Sequence, residues 1–436
     1  MWGGTALQIL GRFWGAACTL AILKLADLRL EPIGFGRFTF YLAIFAWLDS
    51  LANLGTGAIA VQRSAGRPER LAAVLAGARR IRLGAGALGV ALVGGGAFLL
   101  GEPGAPWILL ASLYPVTHAL ELSATVFRNR IAWGVPVLAR AVASALSLGA
   151  VALYFSRGGR EPAAFLLAVA IGSACANLLL HLAARPHLPS SRGVAPERGL
   201  LRAALPLGLS AICAQTYFYI DNVFVRAIAG EAELGRYNLA VRFMSWSIML
   251  AQYASLTLLP WFTRRHLAGQ LAPAVARVGP PLFAVAGFAC GAALPWTSAL
   301  LELFGAGYGT AGASLRWLLG AAVAIYAGAI LLTALVATGN SRATLVIAAA
   351  GVALNVAGNA WAVPALGITG AGLTTFLTEA WVALAAAWAL QRSGIALSRH
   401  AAWRWLAGPA AFAVGGALSW LAMQTGWLPC GDLGQD

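Results

Sequence analysis

Two long apolar runs joined by a short polar turn occupy residues 205–265, and any fold for this chain must house them. The stretch reads LPLGLSAICAQTYFYIDNVFVRAIAGEAELGRYNLAVRFMSWSIMLAQYASLTLLPWFTRR. Each run is about 20 residues or more, the length at which a helix crosses a hydrocarbon core roughly 30 Å thick. Backbone groups inside that core must be bonded within their own segment, so the pattern dictates a helical hairpin. One charge sits inside each run, Asp221 in the first and Arg242 in the second. With Val225 and Arg236 as the mouths of the turn, the two lie at similar depth on neighbouring helices. A lone charge at mid-bilayer costs roughly 2.5–3.5 kcal/mol on insertion scales. Asp221 and Arg242 are therefore expected to pair across the hairpin.

The same pattern fills the chain. Hydropathy predicts helices over about 5–24, 38–61, 82–101, 105–127, 131–155 and 163–184, then 202–225, 236–262, 273–297, 313–336, 343–363 and 371–391, with a thirteenth over about 402–423. Only 10% of the residues are charged, against about a quarter in soluble proteins, so the chain reads as an all-α polytopic membrane protein. With the N-terminus in the cytoplasm, alternate loops differ in Arg and Lys. The inside loops hold Arg63, Arg67, Arg70, Arg79, Arg80, Arg82, Arg128, Arg130, Arg185, Arg192, Arg198, Arg202, Arg264, Arg265, Arg277, Arg342, Arg392, Arg399 and Arg404. The outside loops hold Lys24, Arg29, Arg37, Arg157, Arg160, Arg226 and Arg236. That asymmetry is the positive-inside signature, and it places the tail 424–436 outside. The net charge of +15 is thus accounted for by topology and anionic headgroups, and nucleic acid is not an expected partner.

Gly36-Arg37-Phe38 at the start of the second helix is echoed by Gly235-Arg236-Tyr237 at the start of the eighth, six spans later. Copies separated by six spans insert in the same orientation, which implies two six-helix halves related by a pseudo-twofold along the membrane normal, with a site at their interface. The expected organisation is an N-terminal half over 1–185, a cytoplasmic linker over 186–201, a C-terminal half over 202–391, and one extra helix with an external tail over 392–436.

Charges inside spans are functional candidates by default, set against local pairing or snorkelling. Arg12 and Arg140 fall toward mid-depth of helices one and five, while Arg242 and Arg316 lie nearer the outer ends of eight and ten. Asp49 and Glu379 are central in helices two and twelve, and Glu121 lies toward the inner end of four. Isolated arginines in a membrane domain need a water-filled cavity to solvate them, and a wet cationic cavity suits an anionic headgroup. The substrate-binding candidates are accordingly Arg12, Arg140, Arg242 and Arg316. Asp49, Asp221 and Glu379 are the ion-coupling or structural acids.

Several residues also carry a family resemblance. Pro206, Tyr219-Ile220-Asp221, Gly235-Arg236-Tyr237, Ala240 and Arg242 resemble the central helix pair of polysaccharide flippases, the Wzx-type exporters of the multidrug/oligosaccharidyl-lipid/polysaccharide superfamily. The likeness continues in residues 55–63, in Leu303-Phe304-Gly305 with Tyr308, and in 355–379. It implies a MATE-like fold in the bacterial inner membrane and transport of a polyprenyl-pyrophosphate oligosaccharide, as for O-antigen. Arg12 and Arg242 would then line the cavity that receives the pyrophosphate, to which an arginine fork can bond two oxygens at once. Membrane lipids, Na+ or H+, and other polysaccharide-assembly proteins are the further partners this implies. Where many relatives have an acid before the glycine of the second helix, this chain has Asn53 before Leu54-Gly55, with Asp49 a turn earlier.

Other readings are weaker. A lipid II flippase shares the cationic cavity; a cation-coupled multidrug exporter calls for an acidic one. A membrane glycosyltransferase or ligase needs a catalytic constellation on a large external loop, and the outside loops here are short, so no enzyme activity is expected. Gly84-Ala85-Gly86-Ala87-Leu88-Gly89 satisfies GxGxxG but follows no strand, and reads as close helix packing. Five cysteines without CxxC or HExxH spacing give neither a metal site nor a redox framework, and no cofactor is expected. His118 in the fourth span is expected to serve an interhelical hydrogen bond.

Overall fold

The structure, a computed structural model, describes residues 2–64, 68–130, 132, 134–189, 194–395 and 403–424. Among these there are helices and turns but no strand, and eight helices are long and apolar enough to cross a membrane. The chain divides into two compact units, Met1–Gln215 and Thr216–Asp436.

The first unit opens with α1 (Trp2–Asn53), two membrane-length segments joined at a kink. The kink is at Glu31, with φ 56°, followed by Pro32. A residue before proline is sterically driven out of the α region, so the chain bends there while the helix resumes at once. The expected loop between the first two spans is therefore a kink, and Arg29 of this region donates to Phe155 O at 2.9 Å. Leu54 and Gly55, both at positive φ, then break the helix before α2 (Thr56–Ser64). The break packs on Gly208, where a Cβ would lie 2.8 Å from Leu54 C.

Next come α3 (Leu71–Gly89), continued through a π turn into α4 (Gly96–Leu99), and α5 (Ala105–Ala111). The fourth span is interrupted, running through 3-10 turns at Tyr114–Thr117 and Leu122–Ala124 around α6 (His118–Glu121) into α7 (Thr125–Asn129). Pro115 supplies no N–H and favours these tightened turns. The straight helices α8 (Gly134–Ser156) and α9 (Pro162–Ala184) follow, packed so closely that a Cβ on Gly172 would meet Ala143 O at 2.8 Å. Glu197, inside the expected linker, holds that segment down through ion pairs with Arg63 and Arg70.

α3 begins eleven residues earlier than hydropathy suggests, so Arg79, Arg80 and Arg82 lie within a helix rather than in an inside loop. An arginine-bearing helical turn depresses hydropathy although its guanidinium is satisfied inside the protein. Gly86 and Gly89 of the GxGxxG stretch abut Val116 and Leu48, as close packing requires.

The division between the units falls inside α10 (Leu200–Ile228). The second unit continues with α11 (Glu231–Ser247) and α12 (Met249–Leu267), separated at Ile248, then α13 (Leu271–Ala292) and the short α14 (Thr297–Glu302). The long helices α15 (Gly312–Ala337), α16 (Ser341–Leu366) and α17 (Ile368–Arg392) follow. Its apolar core joins Phe262, Val275, Ile330, Leu331, Val382 and Leu390. α18 (Ala407–Gln424) lies against α13 on small residues: a Cβ on Gly287 or Gly291 would sit 2.2 Å from Gly408 O or 2.0 Å from Phe412 O. The external tail with Cys430 and Trp427, and the loop cations Arg67, Arg192 and Arg399, lie outside the described residues.

Candidate functional site

The richest polar constellation lies in the first unit. Its anchor is Arg82 on α3, whose side chain is 1% exposed. Its Nε donates to Thr56 Oγ1 at 2.8 Å, Nη2 to Asn53 Oδ1 at 2.8 Å, and Nη1 to both His118 O at 2.7 Å and Glu121 Oε2 at 2.8 Å. These acceptors come from the broken ends around Leu54-Gly55 and from the irregular fourth span. The two departures from regular helix thus supply the oxygens that a buried guanidinium needs.

Glu121 is the hub. Besides Arg82, its Oε1 receives Arg128 Nη2 at 3.1 Å and faces Arg140 Nη2 at 3.6 Å. His118, one helical turn before it, places Nδ1 3.4 Å from Glu121 Oε2 and Nε2 2.8 Å from Asp49 Oδ1. The Nε2 contact is close but not aligned as a hydrogen bond. Tyr114 donates its hydroxyl to the same Asp49 oxygen. Three guanidinium groups, two carboxylates and one imidazole therefore share a space a few ångströms across.

A cavity of about 400 Å³ opens onto this cluster, lined by Asp49, Asn53, Tyr114, His118, Glu121, Arg128, Arg140 and Asn177 among others. A second cavity of about 300 Å³ shares Asp49, Tyr114 and Ser173 with it and is lined mainly by apolar side chains such as Phe45 and Leu166. Arg140 has 67% of its side chain exposed, whereas Arg82 is sealed. Arg82 thus braces the wall, and Arg128 and Arg140 can offer N–H donors to a ligand.

The sequence candidates fall as follows. Arg140 and Asp49 are in this site, joined by Glu121 and His118. Arg12 lies on α1, with its side chain outside the described residues. In the second unit, Arg316 is exposed and donates Nε to Thr297 Oγ1 at 3.2 Å. Glu379 is buried on α17 beside Thr375 and Thr378, with no ion-pair partner among the described residues. Asp221 is buried, but its partners are the Tyr237 hydroxyl and Asn222, not Arg242. The hairpin turn is shorter than expected, because α11 begins at Glu231. Tyr237 is therefore six residues in and faces Asp221, seven from the end of α10, whereas Arg242 is eleven residues in and deeper.

The charge pattern alone groups Arg82 and Arg128 with the inside loops. The signal that could have placed them is the pair His118 and Glu121, three residues apart in one apolar span. The carboxylate of that pair requires cationic partners at its depth.

A family model described as "Polysaccharide biosynthesis protein" matches residues 28–266, more than half of the chain. No curated protein sequence matches. Among solved structures, a lipid II flippase, MurJ, in an inward closed conformation aligns with TM-score 0.73 at 11% identity, over 100% of this chain and 94% of that one. An inward-facing multidrug resistance MATE family transporter of the MOP superfamily aligns with TM-score 0.69 at 14% identity, over 89% and 94%. A MOP superfamily transporter from Pyrococcus furiosus, described as having a binding pocket of reverse polarity, aligns with TM-score 0.63 at 14% identity, over 90% and 93%. At these identities the likeness concerns the fold, which is that of the MATE and MurJ transporters.

Proposed function

The chain belongs to the polysaccharide biosynthesis protein family, and from that premise we propose that it flips a lipid-linked oligosaccharide, carried on a polyprenyl pyrophosphate, from the inner to the outer leaflet. The observation that carries this reading is the pair Arg128 and Arg140 at the polar cavity, held by one shared carboxylate, Glu121, and open to an incoming anion. A diphosphate has oxygens enough to replace Glu121 at both forks, and bidentate Arg–phosphate bonds are stronger than neutral ones. Arg12, Arg242 and Arg316 are the further cationic candidates. The lipid tail stays in the bilayer, and alternating access carries the headgroup across, with 1–185 and 202–391 as the two six-helix halves and 186–201 as the cytoplasmic linker. The working location is the bacterial inner membrane with the N-terminus in the cytoplasm. No covalent step is involved.

A cation exporter is disfavoured by the same cluster, since Arg82, Arg128 and Arg140 outnumber Asp49 and Glu121. The test is Arg140→Ala, with Arg12→Ala beside it. Both variants are expected to insert and accumulate normally while lipid-linked oligosaccharide builds up on the cytoplasmic leaflet. Arg140→Lys should rescue only in part, because an ammonium lacks the fork. Export at the wild-type rate by both alanine variants would refute the anionic-headgroup reading.

A further inference from the structure

His118 is held where a neutral imidazole fits poorly. Both ring nitrogens face carboxylate oxygens, Nε2 toward Asp49 at 2.8 Å and Nδ1 toward Glu121 at 3.4 Å, and the residue is buried. A neutral ring has one N–H and one lone pair, so one carboxylate would meet the lone pair. An imidazolium carries a proton on each nitrogen and sets its positive charge between the two carboxylates, although the Nε2 contact is not aligned as a hydrogen bond. The charged and titratable groups facing it are Asp49 of α1, Tyr114, Glu121 of α6, and, beyond Glu121, Arg82, Arg128 and Arg140. Tyr114 is already committed to Asp49.

The charge count gives this arrangement a role. Three guanidinium groups against two carboxylates leave one positive charge, and a proton on His118 makes it two. A diphosphate diester carries one negative charge per phosphate. It is matched by the protonated cluster and leaves a net negative charge on the unprotonated one. Where the cluster is shielded from water, at Arg82, His118 and Glu121, an uncompensated charge is costly. Binding at Arg128 and Arg140 also draws those forks away from Glu121 Oε1, and the freed carboxylate leans more heavily on Arg82 and His118.

We infer that His118 is a proton-binding residue linked to the anion site: the diphosphate headgroup and one proton occupy this pocket together, and losing the proton weakens the hold on the headgroup. The inference rests on the reading of this cavity as a pyrophosphate site. Linkage is reciprocal, so the bound anion raises the affinity for the proton by the same factor. The sign is fixed by the count: anion affinity is highest while His118 is protonated and falls as pH rises through its titration.

The test uses the full chain in phosphatidylcholine nanodiscs and a synthetic farnesyl diphosphoryl sugar, a diester whose charge is constant over the range. Affinity is measured between about pH 6 and 10 for the wild type and for His118→Gln, which keeps hydrogen bonding without a titratable charge. The wild type is expected to lose affinity about five-fold or more across the range, within the usual span of linked sites. His118→Gln is expected to bind more weakly at the acid end with a flat profile. Calorimetry on the wild type in buffers of different ionisation enthalpy, run at a pH inside the interval where its affinity falls, gives the proton count without relying on a variant, and net uptake with the ligand is expected there. No binding by the wild type at any pH would refute the pyrophosphate reading itself. Binding with the same pH profile in both proteins, or with no proton uptake, would overturn the role of His118 and leave the anion site standing.

Discussion

Replacing Arg82 with Met tests whether the polar cluster is as buried as its geometry says. The guanidinium is 1% exposed and satisfies Thr56 Oγ1, Asn53 Oδ1, His118 O and Glu121 Oε2 together. Removing one partner of a buried ion pair costs about 3–5 kcal/mol, because the other charge is stranded. Here the lower end applies, about 3 kcal/mol, since Arg128 and Arg140 still face Glu121 Oε1. Glu121→Gln removes the charge Arg82 faces and should cost about 2 kcal/mol, most of it from weakened bonds to guanidinium groups. Once either partner is gone, losing the other matters less, so the double variant should fall short of the sum by about 2 kcal/mol. The assay is reversible unfolding in mixed micelles, titrated with a denaturing detergent, for wild type, both single variants and the double. Single-variant costs below about 0.5 kcal/mol, or costs that simply add, would mean that water reaches the cluster and the burial argument is wrong.

Two further outcomes separate alternatives within the second unit. Tyr237→Phe is expected to destabilise by about 1–3 kcal/mol, because the buried Asp221 loses its hydroxyl donor, whereas Arg242→Ala should leave stability within about 0.5 kcal/mol in the same assay. A larger effect of Arg242→Ala would restore the hairpin pair. Gly291→Leu is expected to lift α18 from α13, since even a Cβ would sit 2.0 Å from Phe412 O, and should cost about 1–3 kcal/mol in the same unfolding assay; no loss would refute the close packing.

The membrane class was legible in the sequence because it rests on summed hydropathy over about 20 residues, which no single side chain can overturn. Pairing depends instead on depth to within one helical turn. Matching Asp221 with Arg242 assumes a turn from Val225 to Arg236, but the helices close up to Ile228 and Glu231; α11 gains five residues against three for α10, so Arg242 lies eleven residues in and Asp221 seven, about one helical turn out of register. A tyrosine hydroxyl among aromatics gives no sign in the sequence that it is a carboxylate's donor. The site was half legible for a related reason. Asp49 and Arg140 stand out as charges in apolar runs, whereas Arg82 and Arg128 sit where arginines also mark cytoplasmic loops, and hydropathy cannot tell a cation that faces water from one that faces Glu121.

The balance of the cluster bears on how a flippase can both bind and release. A cavity holding three bare guanidinium groups would retain a diphosphate too tightly for turnover, since a transporter must let go on the far side. If the ligand is the proposed diphosphate, Glu121 would prevent this by occupying Arg128 and Arg140 in the empty state, so that binding would exchange one set of charged contacts for another rather than add new ones. The free-energy difference between loaded and empty sites is then small enough to be reversed by a change elsewhere, and only such a difference can shift a conformational equilibrium. Arg82 is the fixed part of this device, sealed and fully bonded. Arg140, the most exposed of the three, is the part that can follow the ligand.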